Sequence, residues 1–285
     1  MKYKKWRELS VDLKNINYKN IDFLKEENYM PAGNDVVEAK VKTNDKIENV
    51  FIKYERSNIT DLENEKNALS ILTNKIKEIP KVIEYGTYNG KAYLITEKLK
   101  GKKLSEIFSK KGINKGKYLL NYGEKLASIH KLEKEPFKIS LKRKINDYPK
   151  DETKFDEYAK RVVEYLKLNE IKKDNNTFIH GDFHYGNVLF RYGKVSGILD
   201  FEYSGRGFKE QDIAWACILR PTGNFMDTKE DINYFLEGYK KIGSFDYEKF
   251  KWCYINASIH FYLMNMNNKE YQEKLKKLID YMLNQ

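Results

Sequence analysis

Phe178-Ile179-His180-Gly181-Asp182-Phe183-His184-Tyr185-Gly186-Asn187-Val188-Leu189-Phe190, followed after a turn by Gly197-Ile198-Leu199-Asp200-Phe201, is the stretch on which the reading of this chain turns. Two short apolar runs, residues 188–190 and 195–199, flank the turn-forming triplet Tyr192-Gly193-Lys194, so the pattern predicts a β-hairpin. Asn187 stands at its entry, Asp200 at its exit, and Asp182 on the loop before it. A carboxylate, an amide and a second carboxylate are thereby gathered at one edge. A general base and a magnesium ion need that set of groups.

The totals bound what this hairpin can serve. With 285 residues, 41% of them apolar and 14% aromatic, the chain has ample material for a packed core in one large domain or two lobes. Its 53 Lys and Arg against 42 Asp and Glu leave a net charge of +11. The lysines are spread along the chain as solvated surface, and no nucleic-acid-binding motif accompanies them, so no nucleic-acid partner is expected. The same field would favour an anionic nucleotide. Two cysteines, Cys217 and Cys253, and a Lys-rich start around Trp6 without a signal-peptide pattern fit a reduced, cytoplasmic protein. The longest uncharged run, residues 252–268, contains Asn256, Ser258, His260, Asn265, Asn267 and Asn268, which marks a buried helix and no membrane association.

Working outward, residues 1–30 carry spaced apolar positions (Trp6, Leu9, Val11, Leu13, Ile16) and are read as a helix and a leading strand. Alternation then sets in at Val37, Ala39 and Val41, followed by Thr43-Asn44-Asp45 and by Val50, Ile52 and Tyr54, a hairpin with Lys53 in its second strand. A helix follows, capped by Thr60 or Asp61, with Leu62, Glu65, Leu69 and Leu72 on one side. Glu65 shares that apolar stripe, and a carboxylate there needs a partner, for which Lys53 is the nearest sensible choice. A second hairpin, residues 82–88 and 91–96, turns at Asn89-Gly90. Beyond Gly101 the period becomes helical: residues 104–108, 118–132, 151–168, 211–219, 228–241, 247–266 and 269–283 read as helices, with a basic connection containing Pro136 and Pro149. The expected organisation is a β-rich lobe over 1–98, ending in a connecting hinge, and a helical lobe over 99–285.

Several motif chemistries fail. Gly112-Ile113-Asn114-Lys115-Gly116-Lys117 is one residue short of a P-loop and lacks its Ser or Thr. Gly205-Arg206-Gly207 has neither a third glycine nor a βαβ context for a dinucleotide. A metallophosphoesterase built on Asp182, His184 and Asn187 is short of ligands, because His130 and His260 sit in apolar helical patterns without adjacent carboxylates. His180-Gly181-Asp182, with Asn187 five residues after the Asp and Asp200 eighteen after it, resembles the catalytic and metal loops of the aminoglycoside phosphotransferase and choline kinase superfamily. Lys53, Glu65 and the hinge after Tyr93-Leu94-Ile95-Thr96-Glu97 stand where that family has its strand lysine, helix glutamate and nucleotide hinge.

The resemblance implies an α+β, bilobal, protein-kinase-like fold and transfer of the γ-phosphate of ATP or GTP, with Mg2+, to a hydroxyl of a small molecule. Asp182 would accept or orient the acceptor proton, and Asn187 and Asp200 would hold magnesium. Lys53, positioned by Glu65, would contact the nucleotide, with Gly33, Asn34, Glu97 and Leu99 lining its site. His180 is read as a loop organiser, and Asp212 as the family's loop-supporting Asp or simply a helix cap. The segment Pro31-Ala32-Gly33-Asn34-Asp35 holds one glycine, and Asp200 is followed by Phe201-Glu202; both features belong with small-molecule kinases and set protein kinases aside. Glu202, Tyr203, Glu210 and Trp215, with Asp227, Trp252 and Tyr262, belong to the region that supplies the acceptor pocket in relatives. Carboxylates and aromatic faces suit a cationic acceptor, an aminoglycoside or similar amino alcohol. Choline, ethanolamine, homoserine and amino sugars are the alternatives, and a non-catalytic nucleotide- or ligand-binding protein on the same scaffold is a further one.

Overall fold

The computed structural model describes residues 8–31, 33–44, 46–57, 60–110, 112–132, 147–174, 176–221 and 225–285. Trp6, Ala32, Asp45, Pro136 and most of the basic connection lie outside the described residues. The chain divides into two compact units, residues 1–100 with 197–203, and residues 101–196 with 204–285. The fold is α+β, with a sheet in the first unit and mostly helices in the second.

In the first unit, β1 (Asp22–Pro31), β2 (Asp35–Thr43), β3 (Lys46–Tyr54), β4 (Val82–Tyr88) and β5 (Lys91–Glu97) form one antiparallel sheet in the order β1-β2-β3-β5-β4, and α1 (Leu62–Leu72) lies between β3 and β4 in the chain. The alternation in β2 and β3 puts Val37, Ala39, Val41, Val50, Ile52 and Tyr54 into a core covered by Leu13, Ile16 and Ile21. Those three covering residues belong to the segment read from sequence as a helix. Among its described residues the segment makes a 3-10 turn at Leu13–Asn15 and no α-helix, because Asp12, Asn15, Asn17 and Asn20 favour local turns over helix. Buried Glu84 pins it by accepting the Lys19 and Asn20 N–H groups at 3.0 and 2.7 Å.

Lys53 has the opposite parity to Ile52 and so projects from the other sheet face, the side on which Glu65 of α1 meets it. Asp61 caps α1, its side chain accepting the Asn64 N–H at 2.9 Å. Residues 197–203 return to this unit, where a reading in chain order assigned them to the second lobe. The cause lies in long-range bonds that sequence spacing does not show: Ile198 N–H donates to Glu78 O at 2.8 Å, and Asn64 Nδ2 donates to Glu202 O at 2.9 Å.

The second unit contains β6 (Lys102–Lys103), α2 (Leu104–Phe108), α3 (Lys115–His130), α4 (Glu157–Leu168), β7 (Thr177–Ile179), β8 (Val188–Arg191), most of β9 (Lys194–Ile198), β10 (Gly205–Gly207), α5 (Lys209–Cys217), α6 (Lys229–Lys240), α7 (Tyr247–Met264) and α8 (Lys269–Leu283). The predicted hairpin is β8–β9, with β6 added beside β8. Gly205-Arg206-Gly207, too short to show any alternation, pairs antiparallel with β7. Helices α3 and α6 approach so closely that a Cβ on Gly123 would lie 2.0 Å from Phe235 O, and one on Gly238 would lie 2.0 Å from Leu120 O. Helix α7 is buried nearly all round, from Phe250 to Ile259. Among the described residues no helix is long and apolar enough to cross a membrane.

Candidate active site

In the first unit the site is built around one cation. Lys53 Nζ lies 2.8 Å from both carboxylate oxygens of Glu65 and 3.0 Å from Asp200 Oδ1. Glu65 is 2% exposed, which settles its place in the apolar stripe against exposure beside Lys66. Burial opposes the Lys53 charge, but the Asp200 and Glu65 carboxylates outweigh it and hold the amine protonated well above its ordinary range. Asp200 has a φ of 69°, a left-handed conformation that Asp tolerates better than most residues. Such a φ costs on the order of 1 kcal/mol and persists only where neighbours over-determine it. Here the Lys53 ion pair is one such neighbour.

The residues of this unit read from the sequence as lining a nucleotide site are distributed unequally. Asn34 is buried, its Nδ2 donating to Glu202 Oε2 at 3.1 Å, while its Oδ1 is buried with no hydrogen-bond partner. Burial first, and then the Asp200 charge, push the Glu202 carboxyl up to about 7. Gly33 is exposed in the β1–β2 loop, and Leu99 and Tyr203 are half-buried. Glu97 is engaged structurally: its Oε1 accepts the Lys81 N–H at 3.0 Å at the start of β4.

In the second unit the loop between β7 and β8 carries Asp182, which is 6% exposed. Its backbone is fixed from beneath by Asp212, fully buried in the first turn of α5, whose two oxygens accept the N–H groups of His180 at 2.8 Å and Gly181 at 3.0 Å. Gly181 has a φ of 77°, so a side chain there would strain the backbone that presents this amide pair. Burial disfavours the Asp212 charge, yet the bond from His130 and the loop amides hold the carboxyl below its ordinary range. Asp212 therefore supports the loop, and Phe208 occupies the helix cap.

The rest of the loop is satisfied locally. His180 Nδ1 accepts the Asp182 N–H at 3.2 Å, as expected of a loop organiser, and Asn187 Nδ2 donates to Asp182 O at 3.1 Å. His184 Nδ1 accepts the Gly186 N–H at 3.0 Å, and its Nε2 lies 3.7 Å from Asp182 Oδ2. Trp215 Nε1 donates to Asp182 Oδ1 at 2.8 Å.

Sequence reasoning missed two supports. His130, read as a helical core residue, has Nε2 3.1 Å from Asp212 Oδ2 and Nδ1 2.7 Å from the Tyr239 hydroxyl. Tyr122 donates its hydroxyl to Phe183 O at 3.2 Å. Their partners lie 82 and 61 residues away, so no local pattern announces them.

Several residues assigned to the acceptor region have structural uses. The Glu210 carboxylate accepts the Asp246 N–H at 3.0 Å, Asp227 pairs with Lys115 at 2.6 Å, Trp252 Nε1 donates to Leu166 O at 3.0 Å, and Tyr262 bonds Asp156. Aromatic and acidic residues at helical spacing are more often packing and capping groups than ligands. Glu210 and Trp252 follow that rule.

The chain is similar to proteins of known kind. An aminoglycoside 3'-phosphotransferase of Enterococcus faecalis is 27% identical over 192 residues, 60% of this chain and 71% of that protein. The structure of a thermostable aminoglycoside phosphotransferase mutant in ternary complex with ADP and hygromycin B superimposes with a TM-score of 0.57 at 10% identity, covering 93% of this chain and 94% of that one. The choline kinase LicA of Streptococcus pneumoniae gives 0.54 at 14% identity, covering 92% and 95%. These structural likenesses establish the kinase-like fold. The model of the phosphotransferase enzyme family matches residues 32–253, and the chain belongs to that family: it is a phosphotransferase with an alcohol group as acceptor.

Proposed function

We propose that the chain is a small-molecule kinase that transfers the γ-phosphate of ATP, with magnesium, to a hydroxyl of an aminoglycoside or related amino alcohol. The observation that carries this reading is the Lys53 amine, bridging the Glu65 and Asp200 carboxylates at 2.8 and 3.0 Å. A lysine held by a carboxylate in this way is suited to gripping nucleotide phosphates. ATP is favoured as donor because a protein of the same fold binds ADP.

In this reading Lys53 binds the nucleotide phosphates and Glu65 holds it in place. The buried Oδ1 of Asn34 is an acceptor that a donor on the bound nucleotide, or a water of its metal, would satisfy. Asn187 and Asp200 each offer an oxygen of the hard type that magnesium takes, and nucleotide phosphates would complete the shell. Among the described residues no group of three or more His, Cys, Asp or Glu could hold a metal. Bound magnesium supplies charge neutralisation at the phosphates. Asp182 orients the acceptor hydroxyl and takes its proton as the oxygen attacks phosphorus. Glu202 and Tyr203, next to Asp200, remain the nearest candidates for acceptor selection.

The test is a coupled phosphotransfer assay over aminoglycosides, choline, ethanolamine, homoserine and amino sugars. Asp182→Asn should abolish turnover while leaving nucleotide affinity nearly intact. A variant that still turns over at the normal rate would strip Asp182 of this role. Inactivity of the unaltered chain across the whole panel, with nucleotide still bound, would favour the non-catalytic binder.

A further inference from the structure

Trp215 bonds the Asp182 side chain directly. An indole N–H donates and cannot accept, so at 2.8 Å from Oδ1 it can only bind the carboxylate and leaves that oxygen facing a fixed donor. The ring plane is itself held. The Arg220 guanidinium lies 4.2 Å from the Trp215 ring centroid and 4.9 Å from that of Phe261, and the Trp215 and Phe261 rings stand 5.7 Å apart at 53°. Arg220 Nη2 also donates to Trp215 O at 3.4 Å, near the limit for such a bond.

Two controls therefore act on Asp182, from different atoms. Asp212 holds the backbone of His180 and Gly181, and fixes where the residue is. Trp215 holds the carboxylate, and fixes how it is turned. On the far side, the Gly186 N–H occupies Nδ1 of His184, so the neutral ring carries its proton on Nε2, the nitrogen 3.7 Å from Oδ2.

We propose that Trp215 is a positioning residue for Asp182: its N–H engages Oδ1, directs Oδ2 to the acceptor hydroxyl, and is itself kept in line by Arg220 and Phe261. The inference rests on the reading of Asp182 as proton acceptor. In that step the acceptor O–H bond breaks and its proton passes to Oδ2. The oxygen pair forms the new bond to the γ-phosphorus, and the bond from that phosphorus to the bridging oxygen breaks, leaving ADP. Trp215 exchanges no proton in this scheme. It differs from a wall of the acceptor pocket, the use that the resemblance to relatives implied for it.

Two measurements test the assignment in the full chain. The chain has three tryptophans, so its 1H–15N spectrum contains three indole signals, and Trp215→Phe identifies one of them. Asp182→Asn should move that signal upfield, since an amide oxygen accepts more weakly than a carboxylate; an unmoved signal would overturn the hydrogen bond. Kinetics use magnesium ATP with water as the acceptor, so that no organic acceptor need be known. Trp215→Phe should lower kcat about 10- to 100-fold with KM for ATP and the melting temperature unchanged. A lowered melting temperature or a raised KM for ATP in Trp215→Phe would mean that Trp215 acts on the fold and not through Asp182. Normal hydrolysis by Asp182→Asn alone would remove the base and leave the indole bond standing, whereas an inactive Asp182→Asn with an unmoved indole signal would remove Trp215 alone. Substituting β-(3-benzothienyl)alanine at position 215 replaces only the N–H by sulfur and should reproduce the loss; full activity there would also overturn the proposal.

Discussion

Lys53 has a dual burden at the scale of single residues, because the group proposed to grip phosphate also neutralises two carboxylates. Its side chain is 15% exposed and that of Glu65 is 3%, so removing the amine strands a buried charge. Breaking such a pair from one side costs about 3–5 kcal/mol, and replacing both partners by apolar or neutral groups costs much less. Lys53→Ala should therefore lower stability in a urea titration by about that amount, and Lys53→Met combined with Glu65→Gln should recover most of it without restoring turnover. Equal loss in the single and double variants would mean that the Glu65 charge is not what the lysine stabilises. The conformation of Asp200 belongs to the same account. Its left-handed φ is held in part by the bond from Lys53, so the single substitution releases a strained residue as well as a charge.

Among the elements, helix α5 holds the loop of Asp182 directly, and helix α3 supports it from behind, through Tyr122 to Phe183 O and His130 to Asp212. Helix α3 sits where it does because Gly123 and Gly238 let α3 and α6 come within van der Waals reach of each other's backbone. A methyl at Gly238 would meet Leu120 O at 2.0 Å, and a backbone atom cannot turn aside as a side chain can. Gly238→Ala should destabilise the chain by about 1–3 kcal/mol and lower kcat at temperatures where the variant is still folded. An unchanged melting temperature would show that the helices have room to part. This element also marks the limit of what the amino-acid pattern announces. The hairpin β8–β9, the Lys53 strand and the Glu65 helix were legible because each shows a period or a charge inside an apolar stripe. The β7–β10 pair and the His130–Asp212 bond were not, because three-residue strands have no period and long-range partners leave no local trace. The first 30 residues were misread in part: spaced apolar residues resemble a helix until the intervening Asn and Asp residues are weighed as turn formers.

Charge is the property that acts at the scale of the whole molecule. A net charge of +11 draws a nucleotide phosphate from a distance and repels a cationic acceptor, whichever residues each finally touches. Both effects reach only about one Debye length, roughly 10 Å at 0.1 M salt, so ionic strength separates them from short-range contacts. Raising salt from about 0.05 to about 0.3 M should raise KM for ATP, because the attraction is screened. An aminoglycoside or amino alcohol should respond in the opposite sense, its KM falling as the repulsion is screened, while a neutral sugar should show no trend. The sign of the acceptor's response thus reads the charge of the preferred acceptor without a structure of the complex. A KM for ATP that does not change with salt would mean that the lysines spread over the surface contribute no field at the nucleotide, and that its electrostatic binding is local.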